Sequence, residues 1–286
     1  MKTHCLILSF ILCLMAFPIC AKENNSTPNS ESNKGKMYVF WGWNRGWYSN
    51  SDIHFFGNNY DFELKNVKAK DRPSPFDFST YFGLTNFSIP QTNYGLGFFI
   101  NDKYDISVAV DHMKYVMVTD QNSTIYGNIN DETEFDGSYS GEDIVITQNL
   151  LVYEHTDGLN YLNAEITRND DLLKLFHIQS NANKIQLNTL IGVGLGAVMP
   201  KSNIKLWHNQ RHDAFHFAGY GFAAKTGLNA TFFKHFFIRT EYKVGYINMP
   251  DVRTTFDPSD RASQHFAFTQ WVFNFGAVFK LFNYNN

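Results

Sequence analysis

Cysteine is nearly absent from this 286-residue chain, and its three copies, Cys5, Cys13 and Cys20, all fall within the first 21 residues. A chain that loses that segment has no thiol, which removes disulfides, cysteine nucleophiles and thiolate metal sites together. Long apolar runs are missing too. After residue 21 no stretch reaches the ~18 consecutive apolar residues of a membrane-spanning helix. Charge is sparse, at 18% of residues against about 25% in ordinary soluble domains. Its balance is slightly negative, −3 overall, so there is no general electrostatic drive towards nucleic acid. No long helical periodicity is present either.

What fills the chain instead is rings: 28 Phe, 15 Tyr and 5 Trp make it 17% aromatic, although the mean hydropathy is −0.30. The first 21 residues, MKTHCLILSFILCLMAFPICA, join Lys2 to an apolar core from Leu6 to Phe17 and end on a small residue. That pattern is a secretory signal peptide, with cleavage expected after Ala21. Residues 22–36 are polar and of low complexity and read as a disordered lead-in.

From Met37 the pattern has period two. Eight strands are expected, at about 37–48, 91–101, 104–118, 159–177, 184–199, 216–231, 235–248 and 265–282. Their connections alternate, with long polar segments at 49–90, 119–158, 200–215 and 249–264 and short ones between. In 235–248 the alternation is plain: Ile238, Thr240, Tyr242, Val244 and Tyr246 share one face, and Arg239, Glu241, Lys243 and Gly245 the other.

Period two alone does not say which face is inside. Three features favour ions inside and hydrocarbon outside. Charges of both signs (Asp105, Asp111, Glu165, Lys225, Arg239, Glu241, Lys243) share the polar face, where they can neutralise one another. Aromatics, among them Trp41, Trp43, Trp47, Tyr48, Tyr94, Phe98, Tyr104, Tyr115, Phe232, Phe236, Tyr246 and Phe282, crowd the strand ends as an interfacial girdle would. Eight strands enclose an interior that side chains can fill. The expectation is an all-β, eight-stranded antiparallel transmembrane β-barrel over 37–282 with a short tail at 283–286. A ten-stranded barrel is the second choice, with 52–64 and 76–89 as the extra pair.

With short turns at one end, long loops at the other and the closing segment WVFNFGAVFKLF (271–282), the chain resembles the small Gram-negative outer-membrane β-barrels of the OmpA/OmpX type. The segments DHMKYVM (111–117) and FWGWNRGWY (40–48) add to the likeness. The resemblance implies an outer-membrane location and folding by the barrel-insertion machinery. Its implied surroundings are outer-membrane lipid and lipopolysaccharide. It implies no activity.

Four groups of residues could carry chemistry. His208, His212 and His216, four apart and next to Asp213, would stack three imidazoles if helical and hold a divalent metal; polar rings on a solvated loop are the plainer reading. Ser263 and His265, with Glu154 or Asp260 as orienting acid, supply the residue types of a lipid-deacylating hydrolase, against the plainer reading of a loop entering the last strand. Glu165, Lys225, Arg239, Glu241 and Lys243 either line a narrow conduit or form a structural salt-bridge network, and eight strands favour the network. Lys65, Lys68, Lys70 and Arg72 of the first loop could meet anionic groups. The functional expectation is a non-enzymatic, monomeric surface protein without a cofactor, whose long loops meet a glycan or protein ligand. A lipid hydrolase and a solute conduit stand as alternatives.

Overall fold

The computed structural model describes residues 32–83, 90–178, 184–207 and 211–280, apart from the side chain of Thr156. The signal segment, most of the lead-in, Phe282 and the tail lie outside the described residues.

Eight strands close a ring: β1 (Lys36–Tyr48), β5 (Thr92–Phe99), β6 (Tyr104–Met117), β9 (Leu151–Asp171), β10 (Ile185–Pro200), β12 (Gly219–Phe232), β13 (Phe236–Arg253) and β14 (Arg261–Lys280). Each pairs antiparallel with its neighbours in that order, and β14 returns to β1 with Lys36 opposite Lys280 and Tyr48 opposite Phe268. The ring therefore has eight strands. Ten is incorrect, for a local reason. Residues 52–64 do form a hairpin, β2 (Ser51–Phe56) with β3 (Tyr60–Val67), but β2 attaches only to the far end of β14, with Ser263 opposite His54. The second expected strand fails where the Asp77 carboxylate caps α1 (Phe78–Phe82) by accepting from the Thr80 N–H at 2.9 Å. Residues 84–89 lie outside the described set.

β9, β13 and β14 run for 21, 18 and 20 residues. A membrane-crossing strand needs only about 9–11 residues, so roughly half of each stands clear of the bilayer. Several segments expected to be loops are therefore strand, and β13 and β14 are joined by 254–260 alone. At the long-loop end the sheet grows through β2, β3, β7 (Gln121–Ile129) and β8 (Gly137–Ile146). There, β4 (Ala69–Lys70) adds to β6 and β11 (Asn203–Leu206) to β9. At the short-turn end α2 (Leu172–Leu175) begins at Asp171, whose side chain accepts from the Leu173 and Lys174 N–H groups.

The molecule has two interiors. At the short-turn half, outward positions such as Val39, Leu96, Ile106, Val108, Ile166, Val193, Leu195, Phe222 and Trp271 are exposed while the lumen is polar. At the long-loop end, which we call the head, the polarity reverses. Ile53, Phe55, Phe62, Leu64, Met113, Tyr115, Ile125, Tyr153, Ile247 and Phe266 bury completely or almost so in one apolar cluster. Tyr48 and Tyr115 thus belong to the head core and not to a girdle; Tyr115 packs on Phe266 at 4.9 Å.

Candidate functional site

The lumen carries a compact ionic layer. Alternation along β13 turns Arg239, Glu241 and Lys243 inward, where they meet Lys225 of the adjacent β12 and, from further round the ring, Glu165 of β9 and Asp111 of β6. Lys225 Nζ lies 2.5 Å from Glu165 Oε2 and 2.8 Å from Glu241 Oε1. Lys243 Nζ lies 2.8 Å from Asp111 Oδ2 and 2.9 Å from Glu165 Oε1. The Asn93 amide donates to Asp111. Space for these long chains comes from glycine on β10: a Cβ on Gly194 would sit 2.7 Å from Glu165 Cγ, and one on Gly192 3.0 Å from Lys225 Cε.

Below this layer Arg239 lies 4.0 Å from Glu241, donates to Asn229 Oδ1 at 3.2 Å and rests on the rings of Tyr38 and Phe237 at 5.0 and 4.9 Å. Tyr38 donates to Asp105 at 2.5 Å, and Asn169 donates to the other oxygen of that carboxylate at 2.6 Å. Tyr38, Phe99, Phe237 and Val278 pack together beneath. Glu165, Lys225, Arg239, Glu241 and Lys243 each retain 7% exposure or less. Solvent scarcely reaches them, and every charge faces one of opposite sign.

The hydrolase candidates do not assemble. Ser263 and His265 point outward from β14, parity placing them opposite the buried Ala262 and Gln264. Glu154 lies on β9, four strands away round the ring, where it accepts from Asn203 at 2.6 Å and from Arg72 at 3.1 Å. Asp260 accepts from Thr255 at 2.6 Å. Alternation explains the failure: residues two apart share a face, but that face is the outer one.

The metal candidates converge only in part. His208 lies outside the described residues. His212 and His216 lie in irregular chain rather than helix, and their rings meet edge-on with centroids 6.2 Å apart. His212 packs on Phe256, and His216 bonds Asp251 at 2.9 Å. Among the described residues no three potential ligands form a metal-holding group.

One head histidine went unnoticed in the sequence. His155 is fully buried between Tyr115 and Tyr153, at 5.8 and 5.2 Å, with Nδ1 2.9 Å from Ser202 Oγ and Nε2 unpartnered. Burial pushes its pKa down to about 3, so the ring is neutral.

Charge is divided between the two ends. In the head (described residues of 45–91, 112–160, 199–218 and 248–265), 11 Lys and Arg face 18 Asp and Glu. At the short-turn rim the sign reverses. Lys34 precedes β1 and Lys36, buried, opens it, while Lys103 sits in the β5–β6 turn. Arg168, Lys174 and Lys184 flank the β9–β10 connection, Lys234 sits in the β12–β13 turn and Lys280 ends β14. Among the described residues, Asp102, Asp170 and Asp171 are the acids that oppose these 8 cations.

A closed ring of eight antiparallel strands, greasy outside and ionic within, defines a transmembrane β-barrel. A soluble monomer rarely exposes an apolar patch above a few hundred Å², whereas here the exposed residues encircle the whole ring. Among solved structures the chain is similar to the outer-membrane protein AlkL (12% identity, TM-score 0.42), covering 93% of this chain and 100% of that one. It is also similar to OprG from Pseudomonas aeruginosa (10%, TM-score 0.35, 86% and 97% covered) and to Ail of Yersinia pestis (12%, TM-score 0.29, 86% and 99% covered). No protein-family model and no curated protein matches the sequence.

Proposed function

We propose that the chain is an outer-membrane surface protein, exported by its signal peptide, whose barrel anchors an extracellular head that binds a glycan or protein ligand. The observation that carries this reading is the contrast between a lumen filled by paired ions and a head with its own apolar core. The first leaves no evident path for a solute. The second gives the long loops a fixed surface, which ordered recognition requires. The barrel enters the membrane through the insertion machinery, lies in lipopolysaccharide and phospholipid, and acts as a monomer without a cofactor.

Three experiments test it. Purified protein in planar bilayers is expected to be electrically silent; steady open-channel currents would return the molecule to the conduit reading. Cells displaying the intact protein are expected to bind members of a panel of immobilised glycans and matrix proteins. Cells displaying a barrel with 51–67 and 121–146 excised should not. Equal binding by both would remove the head from the function. An altered lipid A acylation profile on expression would favour the hydrolase.

A further inference from the structure

The short-turn rim combines two features that the proposed head function leaves unused. Among the described residues its cations outnumber its acids 8 to 3, and all of those cations except the buried Lys36 reach the surface. The acids are also engaged locally: Asp102 accepts from Ser32 and the Asn33 N–H at 2.6 and 2.7 Å, Asp170 holds Arg168 at 2.7 Å, and Asp171 caps α2. Interleaved with the lysines in the same turns stand exposed apolar side chains. Leu175, Phe176 and Ile178 follow Lys174, and Phe233 and Phe236 bracket Lys234, each at least half exposed.

Rings and aliphatic chains placed this way belong in acyl chains, and an ammonium within a residue or two of them lies at the headgroup level. The geometry points to a collar for anionic glycerophospholipid: the phosphates of the leaflet around the short turns bind Lys103, Lys174 and Lys234, while Phe176, Phe233 and Phe236 enter the acyl region. This rests on the reading that the chain spans the outer membrane with its short turns towards the inner leaflet. The interleaving favours a lipid over a cell-wall polymer, because a cation reaching for peptidoglycan gains nothing from neighbours that seek hydrocarbon.

The test uses the full mature chain folded in detergent micelles doped with equal amounts of phosphatidylglycerol and phosphatidylcholine, read by native mass spectrometry. Wild type is expected to retain phosphatidylglycerol preferentially. The triple variant Lys103→Gln, Lys174→Gln, Lys234→Gln should lose that preference by at least about fivefold. The head triple variant Lys68→Gln, Lys70→Gln, Lys205→Gln should keep it. Heat-modifiable gel migration confirms that each variant is folded. Equal retention of the two lipids by wild type, or an undiminished preference in the rim variant, would overturn the collar. So would binding to isolated peptidoglycan sacculi without any lipid preference. A chain that stays folded in detergent-free buffer and retains neither lipid would instead overturn the membrane reading itself.

Discussion

The same strands run through two environments and reverse their meaning on the way. Along β13 the inward residues are Arg239, Glu241 and Lys243 in the lower half and Ile247 and Met249 above, with no slip of register between Phe236 and Met249. β9 does the same in the opposite direction, from Tyr153, Leu159 and Tyr161 to Asn163, Glu165 and Thr167. The fold is continuous, but the medium outside it changes. Where hydrocarbon surrounds the ring, apolar side chains gain nothing by turning inward, and the interior is left to ions that satisfy one another. Where water surrounds it, the hydrophobic effect fills the interior with Phe, Ile and Tyr. One chain thus carries both solutions of the inside–outside problem, joined at the height of Tyr161 and Phe268, whose rings are 6.3 Å apart.

The sharpest way to break this contrast is to strand a charge in the lumen. Lys225→Met leaves Glu165 without its 2.5 Å partner and Glu241 without its 2.8 Å partner. Removing one member of a buried network costs about 3–5 kcal/mol. Urea unfolding of the protein in detergent should show that loss, and a wild-type midpoint would mean that water reaches the ions. Adding Glu241→Gln should recover part of the stability, because fewer carboxylates then remain unpaired. The matching change in the head is Leu64→Ala, at a fully buried position, with an expected cost of about 3 kcal/mol. Its signature differs. Limited proteolysis should clip the head first and leave the membrane ring protected, whereas simultaneous cleavage of both would show a single cooperative unit.

Much of the ring is legible in the sequence because period two is independent of the medium. The eight strand positions fall close to their expected places, and the interior charges are visible as the polar face of an otherwise greasy alternation. The head was hidden for the same reason. Ile53, Phe55, Phe62 and Leu64 alternate as a membrane strand would, and only the pairing of β2 with the overhanging end of β14 shows that they face a water-surrounded core. Strand ends were missed because a polar stretch such as 254–264 contains Ala262 and Gln264 on a buried face. The histidine run misled because its four-residue spacing was read on a helix that the chain does not form, and the Ser263–His265 pair because alternation on β14 turns both side chains outward. His155 gave no signal at all. A lone histidine between Glu154 and Thr156 looks like loop until its burial is known.

Smaller perturbations sharpen the boundary between the two regions. Val193, half exposed on the outer face of β10, should reject charge; Val193→Arg is expected to cost about 2–4 kcal/mol in a bilayer, where the midplane penalty applies. A negligible cost would place that face in water. The gentlest probe is acid. Folded His155 has its pKa pushed down to about 3, against an ordinary value near 6.5 in the unfolded chain. Between those values the unfolded state binds the extra proton. The stability due to the neutral ring is therefore complete above pH 6.5 and is lost progressively as pH falls towards 3, by about 1 kcal/mol at pH 5.5. His155→Gln keeps a side chain able to bond Ser202 but removes the titration, so its unfolding midpoint should fall less steeply between pH 7.5 and 5.5 than that of wild type. Because His155 belongs to the head core, the difference should appear in head proteolysis and leave the ring unchanged. Equal acid slopes in variant and wild type would mean that this imidazole already meets water in the folded head.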